Sequence, residues 1–133
     1  MRTREKERGA AAVEFALVFP LVIMLLLTVI EFSRLWNIQA TISDAARVSA
    51  RYAAIHARDD GFTVQDAKDQ ATAIPGMFLW SSATIEVTVA CDDDGGKATS
   101  TISVSPGSMS EWFSTALGDP MELQAEGEMP CGG

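Results

Sequence analysis

The segment AAAVEFALVFPLVIMLLLTVI, residues 10–30, limits this chain more than any other feature. Its 21 positions hold one carboxylate (Glu14), one proline (Pro20) and one threonine (Thr28) among otherwise apolar residues. About 20 apolar residues in a helix cross the hydrocarbon core of a bilayer. A cleaved secretory signal has a shorter apolar core, about 7–15 residues, with a small-residue cleavage site after it. Here the small residues Gly9-Ala10-Ala11-Ala12 come first, and Thr28–Phe32 offers no A-x-A site. The segment therefore predicts a retained membrane helix. Pro20 removes one backbone donor and crowds the preceding turn, which predicts a bend near residues 16–20.

Charge sets the expected orientation. Residues 1–9 carry Arg2, Arg4, Lys6 and Arg8 against Glu5 and Glu7, whereas residues 31–133 carry 6 basic and 15 acidic groups. Lys and Arg clustered before an apolar span predict a cytoplasmic N-terminus, with the acidic bulk outside the cytoplasm. A formal charge of −8 speaks against a nucleic-acid partner, which needs clustered cations. The 133 residues suffice for one domain, or for less where part lies in lipid.

The helical pattern continues past the span. In EFSRLWNIQATISDAARVSARYAAIHARDDG, residues Phe32, Leu35, Trp36, Ile42, Ala46 and Ala53 recur at steps near three and four, and no Gly or Pro intervenes before Gly61. One helix from about residue 10 to about 58 is expected. Its upper half is rich in small residues (Ala40, Ala45, Ala46, Ala50, Ala53, Ala54) that permit close approach of other elements. Trp36 falls just beyond the apolar run, where amphipathic aromatics favour the membrane interface.

Beyond Gly61 the pattern shortens. Thr63-Val64-Gln65-Asp66 reads as a capping box with Asp in place of Glu, opening a short helix to about Ala73 before Pro75-Gly76. ATIEVTVAC alternates Ile85, Val87, Val89 and Cys91 with Thr84, Glu86 and Thr88, the signature of a strand with one buried face. Asp92–Gly96 makes a turn, and KATSTISVS returns with Ile102 and Val104 inward. Ser108–Glu111 reads as a second capping box, opening a short helix through Trp112 and Phe113 to Leu117. MELQAEGEM is a third strand with Met121, Leu123 and Ala125 inward. The expected class is α+β, a long N-terminal helix packed against an antiparallel sheet of about three strands. The expected division is a leader (1–9), a transmembrane helix (10–30), its extracytoplasmic continuation (31–58) and a small α+β head (59–133).

Cys91 and Cys131 both fall on inward parity at strand ends. Two cysteines in an extracytoplasmic domain with a small core favour a disulfide. No metal or cofactor site is expected: the single histidine, His56, sits apart at a helix end, and Asp92–Asp94 lacks the alternating ligand spacing of a calcium loop. No nucleophile motif or phosphate loop occurs, so an enzyme is not expected.

The basic leader, then Gly9, then Glu14-Phe15 at the head of an unbroken apolar helix, resembles a type IV prepilin. Adding Pro20, Glu31-Phe32 and the Ala45-Ala46-Arg47 to Ala50-Arg51-Tyr52 stretch, residues 7–54 resemble the TadE family of the Tad/Flp pilus system, pseudopilins or minor pilins. Related TadG-like proteins usually lack the glutamate and carry a larger external domain, and the major Flp pilin is far shorter. The resemblance implies cleavage by a prepilin peptidase between Gly9 and Ala10, leaving 124 residues. It implies roles in subunit assembly for Glu14, Phe15 and Pro20. The implied partners are the membrane, the prepilin peptidase, other pilin subunits and the Tad inner-membrane platform. It places the chain in the bacterial inner membrane as a single-pass protein with an extracytoplasmic head. Cleavage would create an ammonium at Ala10, and ammonium and carboxylate attract strongly where water is scarce. Pairing of Glu14 with a neighbour's Ala10 ammonium is therefore expected to set subunit register. The alternative is an unprocessed, membrane-anchored binding module with the same fold and topology.

Overall fold

In the computed structural model the described residues are 3–92, 95–107, 115, 118 and 121–131, with side chains described from Gly9 onward. The order of elements is α1 (Thr3–His56), α2 (Val64–Thr72), a short 3-10 turn (Trp80–Ser82), β1 (Ala83–Asp92), β2 (Gly95–Val104) and β3 (Leu123–Pro130). The class is α+β, as the pattern predicts. The chain divides into two units, Met1–Ser33 and Arg34–Gly133, and α1 contributes to both.

The first unit is helical, and its apolar run is uncovered. Every described side chain from Gly9 to Ile30 is exposed, although a helix that is apolar on all sides belongs in a large core or a membrane. Pro20 lies inside α1 without ending it. The helix begins at Thr3 rather than near residue 10, since nothing in Thr3–Arg8 breaks a helix and Gly9 weakens one by only about 1 kcal/mol. It ends at His56, two residues short of expectation, and Gly61 takes a positive φ of 98° in the turn that follows.

The second unit packs the remaining length of α1 against the sheet. The strand order is β1-β2-β3, antiparallel throughout. Ile85 pairs with Ile102 in register, and Ile102 with Ala125, so the inward parity read from the sequence forms one continuous apolar face. The buried stripe of α1 is Ile38, Ile42, Ala45, Ala46, Ser49, Ala50 and Ala53, spaced at three and four residues. Phe32 and Trp36, which share the helical spacing, lie off this stripe and are exposed, and Ile38 opens it. A step of four carries Ile38 to Ile42 on one face, whereas Trp36 lies about 200° around the axis from Ile38. Ala40 is likewise exposed.

Close approach is specific here. A Cβ at Gly127 on β3 would overlap the backbone carbonyl of Ala46 on α1, so helix and strand meet backbone to backbone. Ser49 donates a 2.6 Å buried hydrogen bond to Ser100 on β2, so that a hydroxyl pair joins helix to sheet inside the apolar layer. Two clusters form the core. Ile38, Ile42, Ala45, Ala46, Ala71, Ile102, Val104 and Ala125 make one; Ala53, Ala54, Ala67 and Ala98 make the other. Helix α2 packs Ala67 and Ala71 inward and lies on β1. Its capping box forms as read: Asp66 N–H donates to Thr63 Oγ1, and Asp66 Oδ2 accepts from Thr63 N–H. The second capping box and the helix assigned to 108–117 lie outside the described residues, apart from Thr115, as do Asp93 and Asp94 of the turn.

Candidate functional site

The residues singled out from the sequence fall into two groups, one in each unit. Gly9, Ala10, Glu14, Phe15 and Pro20 all lie on α1 in the first unit. A Cβ placed on Gly9 would meet nothing within 4 Å. Glycine is therefore not required there by packing within the chain. The Gly9–Ala10 peptide bond is helical, and Ala10 and Glu14 stand one turn apart on the same helix face. Glu14 is exposed, and no hydrogen bond or ion pair involves it among the described residues. Phe15 and Phe19 meet along the next turn as a tilted pair, with ring centroids 5.3 Å apart. Thr28 hides its hydroxyl by donating to the Met24 carbonyl at 2.8 Å, the bond that makes a hydroxyl tolerable on a helix in an apolar medium.

Among the described residues one helix is long and apolar enough to cross a membrane, near the N-terminus, and its most apolar stretch is wholly exposed. An apolar surface of this extent needs lipid or a partner to cover it. Glu31, at the end of the run, differs from Glu14: it is only 2% exposed. The sequence pattern did not distinguish these two acids, since both interrupt apolar residues at helical spacing.

In the second unit Cys91 and Cys131 form a disulfide, with Cα atoms 5.6 Å apart. The bond joins the two edge strands across the central one, a distance of nearly 10 Å between strands two places apart. The chain closes this gap after β3, where Cys131 N–H donates to the Gly96 carbonyl. Gly96 pairs with Cys91 in register. It has a φ of 108°, and a Cβ there would overlap the Ala90 carbonyl.

His56, the single histidine, stacks on Tyr52 with centroids 4.1 Å apart and donates from Nδ1 to the Tyr52 carbonyl at 2.9 Å. This caps the end of α1 rather than forming part of a reactive set. No cluster of His, Cys, Asp or Glu among the described residues has the makings of a metal site. Among the described residues, two exposed groups are shifted from their ordinary values. Thr63 lowers the Asp66 carboxyl, first through its hydroxyl and then through its backbone N–H. The Lys97 ammonium is raised, first by its 2.7 Å hydrogen bond to Glu128 and then by that carboxylate's charge. Both belong to structural contacts at the surface.

Residues 9–51 match the family model described as TadE-like protein, the resemblance carried by the Gly9 to Tyr52 motifs. That family comprises pilus structural or assembly proteins rather than enzymes. The matched segment holds Gly9, Glu14 and Pro20 in the first unit and most of the buried stripe of α1 in the second. Comparison with curated proteins and with solved structures gives no match.

Proposed function

We propose that this chain is a pseudopilin or minor pilin of a Tad/Flp pilus system, cut after Gly9 by a prepilin peptidase and held in the membrane by residues 10–30. The observation that carries the reading is Glu14, five residues beyond Gly9, exposed at the start of an apolar helix inside the TadE-like match. Support also comes from the four cations at Arg2, Arg4, Lys6 and Arg8, which favour a cytoplasmic leader. The disulfide suits an oxidising compartment for the other end. The working division is a leader (1–9), a transmembrane helix (10–30), its continuation (31–58) and a head (59–133).

The helix supplies a physical account of processing. Proteases act on extended peptide, so the turn around Gly9–Ala10 must unwind. A glycine in a helix interior costs about 1 kcal/mol relative to alanine, and helix ends fray readily, so Gly9 lowers the cost of opening that turn. Cleavage then frees an ammonium at Ala10, one helical turn from Glu14. In lipid each charge alone is expensive, and their pairing between adjacent subunits is favourable. Such a pair fixes axial register, since a shift of one subunit along another separates the charges.

The test is the mature N-terminus. Mass spectrometry of the protein from a host carrying the prepilin peptidase should find a chain beginning at Ala10. Gly9→Val should abolish processing. Because the space beside Gly9 is open, that loss would report recognition rather than misfolding. Glu14→Ala should leave cleavage intact and impair entry into the pilus or its initiating complex. A wild-type chain that keeps its leader sinks the reading in favour of an unprocessed, membrane-anchored binding module.

A further inference from the structure

The segment between α2 and β1, Ile74-Pro75-Gly76-Met77-Phe78-Leu79-Trp80, is apolar on both of its faces. Phe78 and Trp80 turn inward against the core cluster of Ile38 and Ile42, with ring centroids 4.7 Å apart. Trp80 Nε1 donates to the Ile74 carbonyl at 2.8 Å, which closes the loop on itself. The alternate residues point out: Met77 is 63% exposed and Leu79 is 76% exposed. A loop facing only water would place polar residues on that parity. Here the core takes one apolar parity, and the other leaves Met77 and Leu79 exposed together beside the core-facing Phe78 and Trp80.

The loop sits at the end of the second unit where α1 enters it. Gly76 lies against Thr41, 3.2 Å from its Cγ2 if a Cβ is added, and Arg34 in the first turn of the unit donates to the Gly107 carbonyl at 2.7 Å. Trp36, 70% exposed, belongs to the same end. Charge is segregated accordingly. Residues 70–85 contain no charged side chain at all. Glu31 and Arg34 stand where α1 enters the unit and Glu122 directly precedes β3, while Arg58, Asp59 and Asp60 follow α1 at the other end, where Arg58 donates to the Asp92 carbonyl. The apolar run ends at Ile30, so Glu31, Phe32 and Ser33 are all that separates it from Arg34. On sequence separation alone, the lipid surface crossed by residues 10–30 is the nearest apolar medium available to this end.

We infer that the Pro75–Trp80 loop is a membrane-surface seat, with Met77 and Leu79 entering the boundary between headgroups and acyl chains and Trp36 joining them there. Amphipathic elements bury an apolar face about 5–10 Å into that boundary. The seat would hold the acidic end of the unit away from the bilayer and fix how the unit stands on it. The inference rests on the membrane helix and not on processing or pilus assembly.

The full chain, with the Cys91–Cys131 disulfide kept, is reconstituted into vesicles of phosphatidylcholine and phosphatidylglycerol. A thiol-reactive environment-sensitive fluorophore is attached at Ser81→Cys, and in a second preparation at Asp60→Cys. Lipids brominated near the headgroup should quench the label at position 81 several-fold more than that at position 60. Met77→Glu with Leu79→Glu should remove the difference while thermal melting in detergent stays cooperative. Should that pair fail to fold, Met77→Ser with Leu79→Ser should reduce it. Equal quenching at both positions overturns the inference, as does quenching at 81 that ignores the double substitution. Shielding of position 81 from iodide that grows with protein-to-lipid ratio, without quenching by brominated lipid, also overturns it and identifies a second copy as the occupant. A chain that washes from the vesicles in carbonate overturns it together with the membrane reading, whereas an unprocessed chain that still shows the quenching difference leaves it standing.

Discussion

The two halves of α1, before and after Ser33, use the same backbone for opposite tasks. Before it, Leu, Ile, Val and Phe project on every side and none is buried. After it, Ile38 and Ile42 and then only Ala and Ser line the stripe that the sheet covers, and charged residues such as Asp44, Arg47 and Arg51 lie on the exposed side. Large apolar side chains suit a medium that adapts to them, as lipid does. Small ones suit a rigid partner, because they let a strand backbone reach the helix backbone, as Gly127 reaches Ala46. A helix is thus told by side-chain size, as much as by hydrophobicity, whether it will meet lipid or protein.

Four measurements would break or sharpen this contrast. The largest effect belongs to the disulfide, which closes a loop of sequence separation 40. Replacing both cysteines with serine should cost about 4 kcal/mol in the chain-entropy account, read as a lower denaturant midpoint of the second unit. Next comes Gly127→Ala. The added methyl meets backbone that cannot rotate away, so a loss of about 1–3 kcal/mol is expected. Leu21→Ala on the bare half should leave the same unfolding transition unmoved in detergent; an equal loss there would dissolve the distinction between the halves. Ser49→Ala strands the Ser100 hydroxyl in the apolar layer and should cost about 1–3 kcal/mol. The double replacement Ser49→Ala with Ser100→Ala should cost less than the sum of the singles, in a thermal-melt cycle.

The smallest non-zero effect is a pH dependence. Asp66 is held below its usual 3.8, so its contribution is complete above that value and is lost as pH falls through the folded one. Lys97 is raised above 10.5, so its contribution is complete below that value and lost as pH rises through the folded one. The melting difference between wild type and Asp66→Ala should be flat across neutral pH and shrink in acid. That between wild type and Lys97→Met should shrink only in strong base. Movement of either difference near pH 7 would contradict these assignments.

Much of this was legible along the chain because the signals are local. Alternation at Ile85, Val87 and Val89 specifies a half-buried strand, and Thr63 with Asp66 specifies a helix start, through neighbours a few residues away. The stripe on α1 was harder. Phe32 and Trp36 share its helical spacing, and periodicity alone cannot say which of two apolar faces a sheet will cover. Ser49 was invisible for the same reason: a serine on a helix reads as polar until Ser100, 51 residues later, arrives opposite it. In the first unit Gly9, Glu14 and Pro20 stood out by type and spacing, since a charge or a proline in an apolar run is conspicuous in one dimension.

By itself, then, the sequence determined the membrane-capable run, the three strands and their inward parities, the start of α2, and the family resemblance carried by Gly9 to Tyr52. Each depends on contacts within a turn or between alternate residues, which composition and spacing encode directly. Tertiary structure alone decided that Cys131 folds over Gly96 to reach Cys91. It also decided that Gly127 and Ala46 touch, that Glu31 is buried while Glu14 is open, and that Met77 and Leu79 stay uncovered. Those outcomes turn on which surfaces distant segments bring together, a property of packing in three dimensions that no local pattern contains.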